Sequence, residues 1–96
     1  MAVYMIVEPL QVTDKSKYNE YIQKVPAIVA KFGGKYLSHG GPVKVIAGNW
    51  KPARIVIIEF ETMDKFNTWW NSPEYSAAKA IRHQTASSDM VVVEGV

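Results

Sequence analysis

The sequence contains no cysteine in its 96 residues. This absence excludes disulfide bonds, thiolate nucleophiles and cysteine-containing metal sites. Histidine is scarce too, because the chain has only 2, and His39 and His83 lack the HxxxH or HxH spacing of a metal site. The residues therefore predict no metal ion and no cofactor.

Long hydrophobic runs and a strong charge bias are also missing. The apolar stretch from Ala2 to Val7 is too short to cross a membrane and lacks the features of a signal peptide, so a cytoplasmic location is the default expectation. The 11 basic and 9 acidic residues are interspersed and leave a net charge of +2. Such a balance predicts neither a nucleic-acid partner nor a membrane partner.

The composition is that of an ordinary folded protein, with 48% hydrophobic and 21% charged residues. At this length we expect one domain over residues 1–96, with a small core and a thin margin of stability. The glycine pairs Gly33-Gly34 and Gly40-Gly41 lack the spacing of a phosphate-binding loop. No nucleotide site is therefore predicted.

The first part of the chain predicts a strand followed by a helix. AVYMIVE, Ala2 to Glu8, is rich in strand-forming residues, and we expect Pro9 to end it. Asp14 is predicted to cap a helix with apolar residues at three- and four-residue steps. We expect a bend at Pro26 and a left-handed glycine of the Gly33-Gly34 pair at the helix end.

The remainder predicts a hairpin, a further strand, two short helices and a final strand. The start signals are a threonine before the first short helix and a Ser-Pro-Glu sequence before the second. The predicted elements are KYLSH, VKVIAG, Arg54 to Phe60, a helix from Thr62, a helix from Ser72-Pro73-Glu74, and Met90 to Glu94.

This order predicts an α+β fold of the ferredoxin-like, split βαβ type, in which an antiparallel sheet carries helices on one face. The other face is also predicted to be apolar. Tyr4 and Ile6 have apolar residues on both sides in the first strand, and so has Ile57 in its strand, so apolar side chains point to both faces of the sheet. An uncovered apolar face of this size is unusual in a monomer. A homodimer whose sheets pack face to face is the expected solution.

Several short motifs carry a family resemblance over nearly the whole chain: Tyr18, Tyr21, Val25-Pro26, residues 33–37, Gly40-Gly41, Trp50, Pro52, Arg54, Glu59-Phe60, residues 71–75 and Glu94-Gly95-Val96. Together they resemble the family called domain of unknown function 1330, within the dimeric α/β-barrel (ferredoxin-like) superfamily. The resemblance implies a fold, a dimer and a pocket, but no reaction. Related barrels include cofactor-independent monooxygenases and isomerases, an analogy of fold only. His39 and Lys35 stand where arginine is usual in the family.

Glu59 and His39 are the candidate catalytic residues. If the face of the sheet that carries Glu59 is internal, its carboxyl group is a candidate acid or base. The alternative is a structural carboxylate at the wet end of the strand, or one tied to a Lys or Tyr across the dimer. His39 is a candidate base or anion contact, and the alternative is an exposed imidazole in a hairpin.

Arg54, Trp50, Tyr36 and Tyr21 are the candidate ligand-binding residues. Trp50 lies outside any periodic stripe, so it is predicted either to cap a cavity or to anchor a dimer. The two tyrosines are predicted to place their rings in the core and their hydroxyls at a cavity or at water. Arg82 and His83 are expected to be solvated at a helix end.

These residues lead to two functional hypotheses. In the first, each subunit has a small cavity roofed by the first helix and the Trp50 loop, which binds a small organic acid or phenol. Any enzyme activity would then be cofactor-independent, of the monooxygenase or isomerase kind. In the second, the protein is a non-catalytic ligand-binding or structural dimer. An RNA-recognition module is rejected, because ARIVIIEF offers only Phe60 for base stacking.

Overall fold

The computed structural model describes residues 1–96 and contains a four-stranded antiparallel sheet and three helices. The strands lie in the order β2-β3-β1-β4, so the predicted ferredoxin-like α+β fold is confirmed. No helix has the length and apolar character needed to span a membrane. The elements are β1 (Val3–Val12), α1 (Lys15–Lys31), β2 (Lys35–His39), β3 (Val56–Phe60), α2 (Met63–Trp70), α3 (Pro73–Thr85) and β4 (Ala86–Glu94).

Strands β1 and β4 are both longer than predicted. The pairing between them continues past Pro9, which lies opposite Ser88, and reaches Val12 opposite Ala86. The register shifts between Pro9 and Gln11. An irregularity of this kind lets a strand accommodate a proline, which has no N–H group to donate. The expectation that Pro9 ends the strand is therefore wrong.

Helix α1 begins and ends as the sequence predicts. The Asp14 carboxylate accepts a hydrogen bond of 3.2 Å from the Lys17 N–H group. At the other end, Gly33 has a φ of +80°, and the N–H group of Gly34 donates to the Val29 carbonyl at 2.9 Å. This is the hydrogen bond of a Schellman motif. The helix continues through Pro26.

Helices α2 and α3 follow their predicted caps. Thr62 accepts a hydrogen bond from the Lys65 N–H group at 3.1 Å. Ser72 does the same for the Tyr75 N–H group at 3.1 Å, and Pro73 occupies the first turn of α3. The two caps fix the residues at which the short helices begin.

The predicted strand VKVIAG is absent, and residues 43–48 form an irregular loop between β2 and β3. Val45 and Ile46 are exposed. The two strands that flank this loop already pair with each other, and β2 is the edge of the sheet. The segment pairs neither with the free side of β2 nor with any other strand, so apolar alternation alone does not make a strand.

The core lies between the sheet and the helices. Phe60 and Tyr75 are fully buried, and Val3 and Trp69 are each 1% exposed. The aromatic rings pack closely, with the Trp69 and Tyr75 centroids 4.1 Å apart. Ring pairs at such distances contribute beyond their buried area, so this cluster fixes α2 and α3 on the sheet.

The second face of the sheet has no helix on it, and we call it the open face. Its central residues Tyr4, Ile6 and Ile57 are half-buried, whereas Val91 is 61% exposed and Val93 is 49% exposed. The molecule is a slab only 16 Å thick. The predicted apolar second face is therefore present and uncovered in the single chain.

Candidate functional site

A cavity of about 80 Å³ lies between the sheet and helices α1 and α3. Most of its lining is apolar, and four phenols and three basic side chains also reach it. Its volume suits several water molecules or a small organic molecule. The phenols are Tyr18, Tyr21, Tyr36 and Tyr75, and the basic side chains are His39, Arg54 and Arg82.

The strand register places the cavity at one end of the sheet. Val7 pairs with Val56 on one side and with Met90 on the other. His39 pairs with Val56 at the edge of the sheet. All four side chains line the cavity, and so does Tyr21 of α1. The cavity is therefore bounded by all four strands at this end.

An irregularity in β2 brings Tyr36 and His39 to the same face. On a regular strand, residues three positions apart point to opposite faces. Here the register shifts between Tyr36 and Ser38, so that Tyr36 lies opposite Ile58 and His39 lies opposite Val56. The two rings stack with centroids 4.5 Å apart. The extra residue thus places the imidazole over the phenol at the cavity.

Tyr21 and Tyr75 form a buried pair in the wall of the cavity. Their hydroxyl oxygens share a hydrogen bond of 3.0 Å. Burial raises the pKa of Tyr21 far above its ordinary value, the nearby Tyr75 raises it further, and the Arg82 guanidinium opposes this by a smaller amount. Tyr21 therefore remains a neutral hydroxyl and not a phenolate.

Tyr36 is also held in its neutral form. Burial raises its pKa to about 12, with smaller contributions from Tyr75 and Tyr18. Its hydroxyl can therefore donate or accept a hydrogen bond near neutral pH but cannot act as an ionised base. The structure places Tyr21 and Tyr36, two of the candidate ligand-binding residues, in the lining of the cavity.

Arg82 lies in the wall of the cavity and is not merely solvated at the end of α3. It is half-buried, and its Nη1 donates a 3.0 Å hydrogen bond to the Ser88 hydroxyl. Its Nε is buried without a hydrogen-bond partner, as is the Nε1 of Trp69. The expectation of solvation is wrong because Arg82 shares the buried stripe of α3 with Tyr75, Ala78 and Thr85.

The charge of the cavity has one sign. Arg54 lies on the side formed by β2 and β3, where its Cδ is close to Gly40, and Arg82 lies on the side formed by α3 and β4. No aspartate or glutamate lines the cavity. Neither salt bridge of the chain involves an arginine. The cavity is therefore suited to a ligand that carries negative charge or strong hydrogen-bond acceptors.

Glu59 and Trp50 lie elsewhere, on the open face. Glu59 pairs with Tyr4 and Lys35, on the side of β3 opposite Ile58 and the cavity. Trp50 is 61% exposed, and its Nε1 donates a 3.0 Å hydrogen bond to the Glu8 carboxylate. Of the six residues named from the sequence, the structure thus brings together Tyr21, Tyr36, His39 and Arg54, and it separates Glu59 and Trp50 from them.

Comparison with known families supplies the identification. The family described as Domain of unknown function (DUF1330) matches residues 2–96. The chain belongs to this family. No curated protein matches the sequence of this DUF1330 member.

Solved structures resemble this DUF1330 chain in fold at low identity. A protein of unknown function from Rhodopseudomonas palustris is 14% identical with a TM-score of 0.76, over 99% of this chain and 82% of that one. A dimeric ferredoxin-like protein of unknown function from Jannaschia is 12% identical with a TM-score of 0.71, over 99% of this chain and 100% of that one. SnoaB, a cofactor-independent oxygenase from Streptomyces nogalater, is 8% identical with a TM-score of 0.63, over 99% and 91%.

Several residues that line the cavity were not predicted from the sequence as site residues, among them Tyr18, Tyr75, Trp69 and Arg82. Tyr75 and Trp69 fit apolar helical spacing, and nothing local distinguishes a core aromatic residue from one that lines a cavity. Arg82 could have been found, because it follows Ala78 by four positions and precedes Thr85 by three. A lone charged residue on an otherwise buried helix stripe is a signal for a buried polar site.

The raised pKa of Tyr36 predicts a loss of stability at alkaline pH. The pKa is 10.0 in the unfolded chain and about 12 in the fold, so the unfolded state loses its proton first and unfolding becomes more favourable as pH rises. The contribution is complete below pH 10.0 and disappears as pH rises to about 12. In urea denaturation across this pH range, the free energy of unfolding should fall less in Tyr36→Phe than in the wild type. If it falls equally in both proteins, the raised pKa does not belong to Tyr36.

Proposed function

We propose that the protein is a homodimer that binds a small organic acid or phenol in the cavity of each subunit. The observation that carries this proposal is the lining itself, which combines an apolar body and four phenols with His39, Arg54 and Arg82 and has no carboxylate. An apolar pocket with a few convergent polar groups is the usual form of a small-molecule site. The basic groups select an anionic or acceptor-rich end.

The dimer is supported by the open face and by the structural neighbours. The face exposes Val91 and Val93 beside half-buried Ile6 and Ile57, and such a patch favours a second copy. The Jannaschia neighbour and a Bacteroides fragilis neighbour are both described as dimeric. In the proposed dimer, Trp50 lies at the interface and Glu59 lies away from the ligand.

Within the cavity we assign a role to each side chain. Arg54 and His39, both exposed at the edge of the sheet, hold the polar end of the ligand. The rings of Tyr36 and Tyr21 pack against its body. Because both phenols are neutral, they can donate a hydrogen bond to an oxygen of the ligand without repelling its charge.

The test combines native mass spectrometry with titration. Mass spectrometry of the purified dimer should show a bound small molecule. In calorimetry with benzoate as the probe, Arg54→Gln should weaken binding about tenfold, the typical effect of losing one charge-assisted hydrogen bond. The matched control is Lys24→Gln, which removes one charge from an exposed position of α1 and should leave the affinity unchanged. If both variants and the wild type bind benzoate with equal affinity, Arg54 does not contribute to the binding site.

A second candidate is cofactor-independent catalysis in the same cavity. It is favoured by His39, whose imidazole lies at the cavity on the Tyr36 ring, where it could take a proton from a bound phenol or acid. The fold likeness to SnoaB adds an analogy and no more. Chemical analysis of any molecule carried by the protein, before and after incubation in air, separates the two candidates. Conversion that disappears in His39→Gln supports an enzyme, whereas an unaltered ligand supports a binding protein.

A further inference from the structure

The Arg82 side of the cavity contains hydrogen-bond donors that no group of the protein satisfies. Nε of Arg82 and Nε1 of Trp69 are both buried without a partner, and Trp69 is 1% exposed. A buried donor without a partner costs free energy. Buried polar groups of this kind therefore call for an acceptor from outside the chain.

The geometry around Arg82 is suited to hold such an acceptor. The hydrogen bond of 3.0 Å from Nη1 to the Ser88 hydroxyl fixes the guanidinium between α3 and β4. Nε of the same guanidinium makes no hydrogen bond within the protein. A guanidinium fixed by one hydrogen bond loses less entropy when it binds a carboxylate.

Arg82 and Arg54 approach the cavity from opposite sides. Arg54 lies beside Gly40 at the end of β2, and Arg82 is bonded to Ser88 in β4. These strands are the two edges of the sheet, with β3 and β1 between them. Three inter-strand steps of about 4.8 Å put the edges roughly 14 Å apart. Because the two arginines are anchored on opposite edges, a ligand with a polar group at each end can meet both of them.

We propose that Arg82 is a second anion subsite of this cavity, so that the ligand carries an acidic or phenolic group at each end of an apolar body. The inference rests on the proposed function and extends it, because Arg54 and His39 hold one end and Arg82 holds the other. The ligand class is then an aromatic or short aliphatic diacid or hydroxy acid. The phenol rings that line the cavity favour a flat, ring-containing spacer.

The test compares two probes, benzoate and terephthalate, which share a ring and differ by one carboxylate. Calorimetry should show that terephthalate binds the wild-type dimer at least about tenfold more tightly than benzoate. Arg82→Gln should remove this preference, and Arg82→Lys should restore part of it, because lysine keeps the charge but loses the fixed Nε donor. Lys24→Gln, which removes a charge outside the cavity, should leave the ratio unchanged.

The outcomes separate this inference from the proposed function. If benzoate binds and terephthalate binds no better, or if the preference survives in Arg82→Gln, the second subsite is wrong while the acid-binding cavity stands. If neither acid binds at about 10 mM, both proposals fail. Should Arg82→Gln not fold, the wild-type ratio and the Arg82→Lys variant still decide the question.

Discussion

Val91→Glu is expected to convert the proposed dimer into a monomer. Val91 is 61% exposed in the single chain and lies on the open face in the edge strand β4, opposite Ile6, which in turn lies opposite Ile57. In a two-fold dimer, one substitution places two carboxylates in the same apolar interface. The combined cost of burying and repelling these charges should weaken association at least about a hundredfold.

Sedimentation velocity at about 10 μM, where a stable dimer remains associated, measures this effect. The control is Ala77→Glu, which adds the same charge at an exposed position of α3 on the other side of the slab and should leave the dimer intact. A Val91→Glu variant that sediments as a dimer would show that the open face is not the interface. If the wild type sediments as a monomer, the proposed dimer is wrong.

Gly34→Ala is expected to destabilise the fold by about 1–3 kcal/mol, the usual cost of overpacking a core. A Cβ atom at this position would lie 2.6 Å from Cγ1 of Val29 and 2.8 Å from Cε1 of Phe60. Neither neighbour can move easily, because Val29 is 1% exposed and Phe60 is fully buried. The chain therefore needs glycine at this position for close packing and not for its backbone angles.

Gly41→Ala is the matched control. A Cβ atom at Gly41 would meet nothing within 4 Å, so its effect on the free energy of unfolding should be close to zero or slightly stabilising. Urea denaturation of both variants must be compared at one protein concentration, because the stability of a dimer depends on concentration. Equal midpoints for Gly34→Ala and Gly41→Ala would contradict the packing argument.

The main elements of the fold could be predicted from local chemistry. Asp14, Thr62 and Ser72 cap the three helices as expected, because a cap depends on residues only three positions away. The loop at residues 43–48 could not be predicted, since whether an apolar segment forms a strand depends on a neighbour that is distant in sequence. The extension of β1 past Pro9 depends in the same way on the partner strand β4.

The site could be predicted only in part. Tyr21 and Arg54 were named from residue type and position, and both line the cavity. The sequence could not decide whether Trp50 caps the cavity or anchors a dimer. The position of its ring depends on how a long loop folds back to Glu8. The face occupied by Glu59 follows from its alternation with Ile58, but which face the helices cover is a tertiary property.

The shift in register within β2 lets this strand change length without changing the rings that reach the cavity. Tyr36 and His39 share a face although they are three positions apart, because β2 has one residue more than β3 between the two pairs that these residues form with Ile58 and Val56. Deleting that residue would leave the phenol and the imidazole two positions apart on a regular strand, where residues also share a face. Homologous chains that are one residue shorter here would therefore carry the same two rings at the edge of the cavity, and residues of this strand should be matched across the family by their partners in β3 and not by their distance from Gly40.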